Sequence, residues 1–226
     1  LTSGNFKATF FDSQVRSFLI ILISITVILF SWLMFQQTHS IEYALRKTLF
    51  NGVSILTGTG YSSDNYMLWG SFPISIFFVI GLIGGCAGST TCSIKVFRFQ
   101  ILFSAIGSQI KQMHFPSAVV ATRYEGKRVS VDIVSSVIAF FILFFASLFL
   151  IALALSATGL DFVTAISGAV STLANIGPGL GERIGPIGNY AELNNVAKLI
   201  LIFSMFVGRL ELMVVYVLFT LTFWRG

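Results

Sequence analysis

The chain is 226 residues long, 55% hydrophobic and only 10% charged, with 24 Phe and a mean hydropathy of +0.88. Those proportions are far more apolar than a water-soluble globular domain uses, and they exclude one. The formal net charge of +5 and pI near 9.4 do not make a nucleic-acid footprint, because the basic residues stand between apolar runs and form no patch with interleaved aromatics.

The first 16 residues hold Lys7, Asp12 and Arg16, and no small-residue cleavage site follows the next apolar run, so no cleaved signal peptide is expected. The sequence opens on Leu rather than Met, as a segment of something longer would. Residues 17–35 carry no charge and suffice to cross a hydrocarbon core of about 30 Å as a helix. Residues 45–56 form an apolar run about half as long, followed at once by Thr57, Gly58, Thr59, Gly60 and Tyr61. A second long run, 72–107, is interrupted by glycines and small polar residues between Gly81 and Thr91. After a basic linker come an uncharged run at 133–155, a short one at 161–173, and then Ala174, Asn175, Ile176, Gly177, Pro178 and Gly179. The last long run, 196–224, contains Gly208, Arg209, Leu210 and Glu211. Cys86 and Cys92 are the only cysteines, and free thiols are expected.

Long run, short run, glycine loop, long run: the order occurs twice, which is an internal repeat. Gly60 and Gly177 are 117 residues apart, and the same offset sets Ser54 on Ser171. The expected class is an all-α membrane protein of two helix, pore-loop, helix units. Its parts are a cytoplasmic segment over 1–16, one pore repeat over 17–110, a cytoplasmic linker over 111–129 and a second pore repeat over 130–226. Lys7, Arg16, Lys95, Arg98, Lys111, Arg123, Lys127, Arg128 and Arg225 fall on one side of this topology, against Arg46, Lys47, Arg183 and Lys198 on the other. The richer side should be cytoplasmic, which turns both glycine loops outward.

Half-length helices followed by glycine-rich backbone suit a re-entrant pore loop, because carbonyls that replace an ion's water need φ/ψ values that glycine reaches cheaply. The candidate filter residues are Thr57, Gly58, Thr59 and Gly60 with Ala174, Asn175, Ile176 and Gly177, and the cation is placed on the backbone of Thr59, Gly60, Asn175 and Ile176. Ordinary outer turns are the competing reading of either loop taken singly. Small residues within a span mark a break or hinge, here at Gly84, Gly85, Gly88, Ser89 and Thr90; close helix packing through small residues competes. No phosphate-loop or dinucleotide glycine pattern is present. Arg209 and Glu211 are charges within an apolar run, hence functional candidates unless they snorkel to the interface. His39 and His114 lie in loops, away from any serine at mid-membrane, and no paired acids or metal-ligand cluster occurs, so no enzymatic activity or cofactor is expected.

At Asn5-Phe-Lys-Ala, Gly84-Gly-Cys-Ala-Gly-Ser-Thr, Asn175-Ile-Gly-Pro-Gly-Leu-Gly, Gly185-Pro-Ile-Gly-Asn-Tyr and Gly208-Arg-Leu-Glu, the chain resembles the Trk, Ktr and HKT superfamily of potassium uptake proteins, most closely the bacterial Trk-type membrane subunit. The resemblance implies four repeats around one pore, of which this chain looks like the third and fourth. It also implies that the potassium ion is cargo, that the loop in the third repeat's second helix, here 84–93, is a gate, and that Arg209 is apposed to it. By the same resemblance the surroundings are membrane lipid of the bacterial inner membrane, a missing N-terminal half or a second copy, and a cytosolic nucleotide-binding regulatory subunit. Gly58 stands where the family commonly has the middle of three threonines, Tyr61 where it has Phe, and Thr91, Cys92 and Ser93 where the gate loop usually ends in glycines. Two other functions are open: an alternating-access, cation-coupled secondary transporter, and a non-conducting half-subunit. A carrier should break its helices in both halves; the break at 84–93 has no counterpart in 199–224, which favours the pore.

Overall fold

The computed structural model describes residues 12–36, 40–117, 120–210, 212–218, 220 and 223–224. Expectations placed on Lys7, His39, Glu211, Arg225 and Asn5-Phe-Lys-Ala lie outside these residues. Helix α1 (Ser13–Phe35) and helix α2 (Ile41–Leu56) pair side by side. A 3₁₀ turn at Tyr66–Trp69 leads into α3 (Ser71–Gly81), and the chain is non-helical until α4 (Val96–His114). Helix α5 (Val131–Ala157) packs on α6 (Phe162–Leu173), which α7 (Asn195–Arg209) covers on another side, and a short α8 (Leu212–Leu218) ends the described fold.

Helices α1 and α5 are long and apolar enough to cross a membrane; α7 and α8 together form a third, bent candidate. Ile20, Ile23 and Val27 on α1 and Ile142, Phe149, Leu150 and Leu153 on α5 are exposed, as side chains bathed in lipid are. Lipid tails are as apolar as leucine, so close backbone approach and dispersion hold such helices together. Helix α6 shows how: its buried positions include Ala165, Gly168, Ala169, Ser171 and Thr172, small residues that let α5 and α7 come near. Several buried hydroxyls in these helices bond to the carbonyl one turn back, as Thr26 does to Leu22, Thr48 to Ala44 and Thr172 to Gly168. The two repeats are not separate bodies, for Ala174, Ile176 and Leu180 of the second lie in the first repeat's core with Leu29, Leu56 and Phe77.

Two departures from the sequence expectation stand out. The linker is not all loop: β1 (Arg123–Tyr124) and β2 (Lys127–Arg128) pair antiparallel across Glu125 and Gly126, whose φ values of 50° and 77° are both positive, as tight hairpins prefer. The hairpin is anchored by Ser104 Oγ donating to Arg123 O at 2.7 Å and Ser13 Oγ to Glu125 Oε1 at 2.6 Å. The last apolar run is also not one helix, since α7 stops at Arg209 and α8 diverges from it by 105°. Contacts at the end of α7 give the reason: Gly208 abuts the Leu173 carbonyl and Arg209 reaches away to the loop at 82–95, which fixes the helix there. A broken 199–224 removes the ground on which an unbroken one was to favour a pore over a carrier.

The start of α6 depends on Asp161, whose carboxylate accepts from the Thr164 amide at 3.1 Å. Replacing Asp161 with Ala should cost about 0.5–2 kcal/mol, read as a lower unfolding temperature in detergent. Hydrogen bonding from Thr164 holds this carboxyl below its usual range. The contribution is therefore present at neutral pH and lost as pH falls through that depressed value, so wild type and variant should converge in acid.

Candidate functional site

Helices α2 and α6 end in the same way, 117 residues apart. After α2, the Gly58 amide bonds Ile55 O at 3.1 Å and the Thr59 amide bonds Ser54 O at 2.9 Å. After α6, the Asn175 amide bonds Thr172 O at 3.1 Å and the Ile176 amide bonds Ser171 O at 2.9 Å. This is the double-bonded helix end in which one residue turns left-handed, and Gly58 (φ 69°) and Asn175 (φ 52°) are those residues. Glycine adopts that backbone freely and asparagine more readily than most, which accounts physically for Gly58 at a position where the resembled family commonly has Thr. A second positive φ follows two residues later in each segment, at Gly60 (80°) and Gly177 (119°).

The two segments meet. A Cβ on Gly60 would fall on the Ile176 carbonyl oxygen, so only glycine permits this approach. The carbonyls just before the two segments are engaged elsewhere: Ile55 O accepts the Gly58 amide, and Leu173 O lies against Gly208. Thr57 Oγ1 donates to Val53 O at 2.7 Å and is 2.6 Å from Thr59 Oγ1, while Asn175 Nδ2 donates to Met205 O at 3.0 Å and ties its segment to α7.

The loop at 82–95 folds on itself. Gly84 N bonds Ile94 O at 2.8 Å, Ile94 N bonds Leu82 O at 3.1 Å and Val96 N bonds Gly85 O at 3.1 Å, with Ile83 and Ile94 in a parallel bridge. Within the neck, Thr91 Oγ1 accepts from the Gly85 amide at 2.9 Å and stands 2.7 Å from Ser89 Oγ. A Cβ on Gly84 would press on Ser93 O, one on Gly85 on Ser89 Oγ, and Gly88 has a φ of 82°. The loop lies close to the first filter segment, as Thr91 Cγ2 is 3.6 Å from where a Gly58 Cβ would be. Arg209 Nη1 donates to Thr90 O at 3.1 Å and lies 3.7 Å from Cys92 Sγ, so the structure brings Arg209 and the loop together. Thr90, Cys92 and Arg209 line a cavity of about 160 Å³ with Lys95, Arg98 and the α6 end residue Leu173. The Arg98 guanidinium stacks 3.8 Å from the Phe140 ring centroid.

Sequence reasoning missed several members of this assembly. Cys92 and Thr91 were read only as departures from a glycine triplet. Gln14, whose Oε1 accepts from the Ala87 amide at 2.7 Å, had no signal at all. Tyr190 and Ser171, which both donate to Gly177 O at 2.7 Å, were visible only as a motif residue and as the partner of Ser54 at the repeat offset.

Residues 11–224 match the TrkH family, described as cation transport protein. The chain is 42% identical to the Trk system potassium uptake protein TrkI of Halomonas elongata, over 98% of this chain and 45% of that protein. It is 34% identical to the Trk system potassium uptake protein TrkH of Salmonella typhimurium, over all of this chain and 46% of that one. The crystal structure of the potassium transporter TrkH from Vibrio parahaemolyticus superposes with a TM-score of 0.90 at 33% identity, covering 96% of this chain and 46% of that one. The chain thus spans about half the length of the curated relatives it matches.

Glycine is required at the contact between α7 and α6. Gly208→Ala would drive a methyl group into Leu173 O and should destabilise the fold by about 1–3 kcal/mol. Gly107→Ala in α4 meets nothing within 4 Å and should instead stabilise by up to ~1 kcal/mol. Thermal unfolding of both variants in detergent checks the opposite signs.

Proposed function

This chain belongs to the TrkH cation transport protein family, and on that footing we propose that it forms half of a potassium-uptake pore, its two filter segments supplying half of a ring of backbone carbonyls. The observation that carries this reading is the repeated helix end: the same hydrogen bonds and a positive φ at the same two positions recur 117 residues apart, and the segments touch at Gly60 and Ile176. Irregular backbone of this kind is tolerated at membrane depth only where it is buried in protein or lines water. The filter set is Thr57, Gly58, Thr59, Gly60, Ala174, Asn175, Ile176 and Gly177, with potassium as cargo on the carbonyls of Thr59, Gly60, Asn175 and Ile176. No chemistry is asked of the protein beyond replacing the ion's water.

The protein is a membrane protein whose relatives are named as potassium uptake proteins. In our reading it resides in the bacterial inner membrane with the filter outward and the 111–129 linker cytoplasmic. It is not an enzyme and needs no cofactor. Its partners are lipid, the other half of the pore and a cytosolic nucleotide-binding regulator. A ring needs ligands from all sides, so these 226 residues reconstituted as a demonstrated monomer should give no selective potassium flux. Flux from that monomer would refute the half-ring. A carrier is the second reading, favoured by the 105° divergence of α7 and α8, which gives the second half a break of its own. Single-channel recording of the complete protein separates the two, because discrete ohmic openings exclude a carrier cycle.

The loop at 84–93, with Gly84, Gly85, Gly88, Ser89 and Thr90, serves as the gate, and Arg209 as its electrostatic part. A guanidinium cannot shed its proton at accessible pH. At an effective dielectric of about 20, a unit charge ~8 Å from a passing cation raises its energy by ~2 kcal/mol, roughly a thirtyfold rate factor. Arg209→Ala and deletion of residues 86–91 should each raise potassium flux through the complete protein, Arg209→Ala by up to that factor. Unchanged flux at normal expression in both variants would remove the gate assignment.

A further inference from the structure

The Gly185-Pro-Ile-Gly-Asn-Tyr stretch ends in a residue to which the pore reading gives no task. Tyr190 opens the 3₁₀ turn Tyr190–Glu192, which Asn189 caps by accepting from the Ala191 amide at 2.9 Å. From there its hydroxyl reaches back to the second filter segment and donates to Gly177 O at 2.7 Å. Ser171 Oγ, on α6 and only 2% exposed, donates to the same oxygen at 2.7 Å, and the two hydroxyls are 3.2 Å apart. A carbonyl oxygen has two lone pairs, and here both are engaged. Gly177 has a φ of 119° and no side chain to wedge it, so these two bonds are what aim its carbonyl. The first repeat lacks the arrangement: Ser54, at the matched position, is 4% exposed and its Oγ has no partner.

We propose that Tyr190 and Ser171 form a two-donor clamp on the Gly177 carbonyl, and that Tyr190 is a specificity-determining positioning residue for potassium over sodium. Discrimination by carbonyls depends on the size of the cage they hold open or on the field they present. The clamp acts on the cage. With both lone pairs taken up, the Gly177 oxygen is not itself an ion ligand; the two hydroxyls hold its peptide group in place, so the adjoining Ile176 carbonyl does not follow a smaller ion inward. Tyr190 acts through Gly177 and touches no ion itself.

The proposal rests on the pore reading, so its test keeps the two apart. The complete transporter carrying this chain is reconstituted in lipid vesicles, and potassium and sodium fluxes are measured for the unaltered protein and for Tyr190→Phe, Ser171→Ala and Ser54→Ala. Tyr190→Phe keeps the ring and removes one hydrogen bond, which should lower the potassium-to-sodium flux ratio by about two- to tenfold through increased sodium flux. Ser171→Ala removes the other donor, should act in the same direction, and carries the test if the tyrosine variant does not fold. Ser54→Ala should leave the ratio where it is. Ratios equal to the unaltered protein's in the folded clamp variants, or an equal fall in Ser54→Ala, overturn the clamp. Absence of any cation flux from the unaltered protein would sink the pore reading instead.

Discussion

Two helices of this protein, α2 and α6, end against its packed core, at the buried residues Leu56 and Leu173. An unpaired buried backbone group costs several kcal/mol, so the carbonyls at those ends need partners from the chain itself. Both are met by doubling the next two amides back, which forces a left-handed residue at 58 and at 175. The course of the backbone over the next two residues follows from that reversal, as does the direct approach of Gly60 to Ile176. The candidate filter is in this sense a by-product of satisfying two helix ends, and its neighbours are arranged around it. Asn175 ties its segment to α7, Gly208 lets α7 reach the end of α6, and Thr91 rests near Gly58.

Much of this was legible in the sequence because the features are strong: two runs too short to span, each followed by glycine at one offset. Length and glycine content carry that information without any side-chain detail. The loop at 82–95 was legible for the same reason, as a run of glycines and small polar residues that lowers helix preference between Gly81 and Thr91. Side-chain partnerships were not. Ser54 and Ser171 look alike in the sequence, yet one is unpartnered and the other bonds Gly177, because only the second repeat brings a tyrosine hydroxyl and a filter carbonyl to the same place. Glu125-Gly126 was hidden in a basic linker, and its hairpin is two residues long on each side, below what alternation can reveal. The end of α7 was concealed by composition, since 196–224 is apolar on both sides of Arg209 and only tertiary contacts stop the helix.

The two repeats also differ in how rigidly they hold equivalent backbone. Repeat one relies on a threonine pair, Thr57 and Thr59, within the segment itself. Repeat two draws on α7 through Asn175 and on the outer turn through Tyr190. A substitution in α7 or in 185–190 therefore reaches the second filter segment through a hydrogen bond, whereas the first repeat's outer turn packs on the end of α2 through Tyr66 and Trp69 against Ile55 and Leu56.

The loop at 82–95 has a neck, tied by the pairing of Gly84 with Ile94 and of Val96 with Gly85. Bringing together the ends of a flexible segment of roughly ten residues costs ~2 kcal/mol of chain entropy, a cost that grows only slowly with length. With the neck zipped in the folded protein, that cost is already met before the loop shifts anywhere. On the gate reading proposed above, a shift of the segment would be that of a small closed body, giving up the bonds of Ala87 to Gln14 and of Thr90 to Arg209 but little conformational freedom.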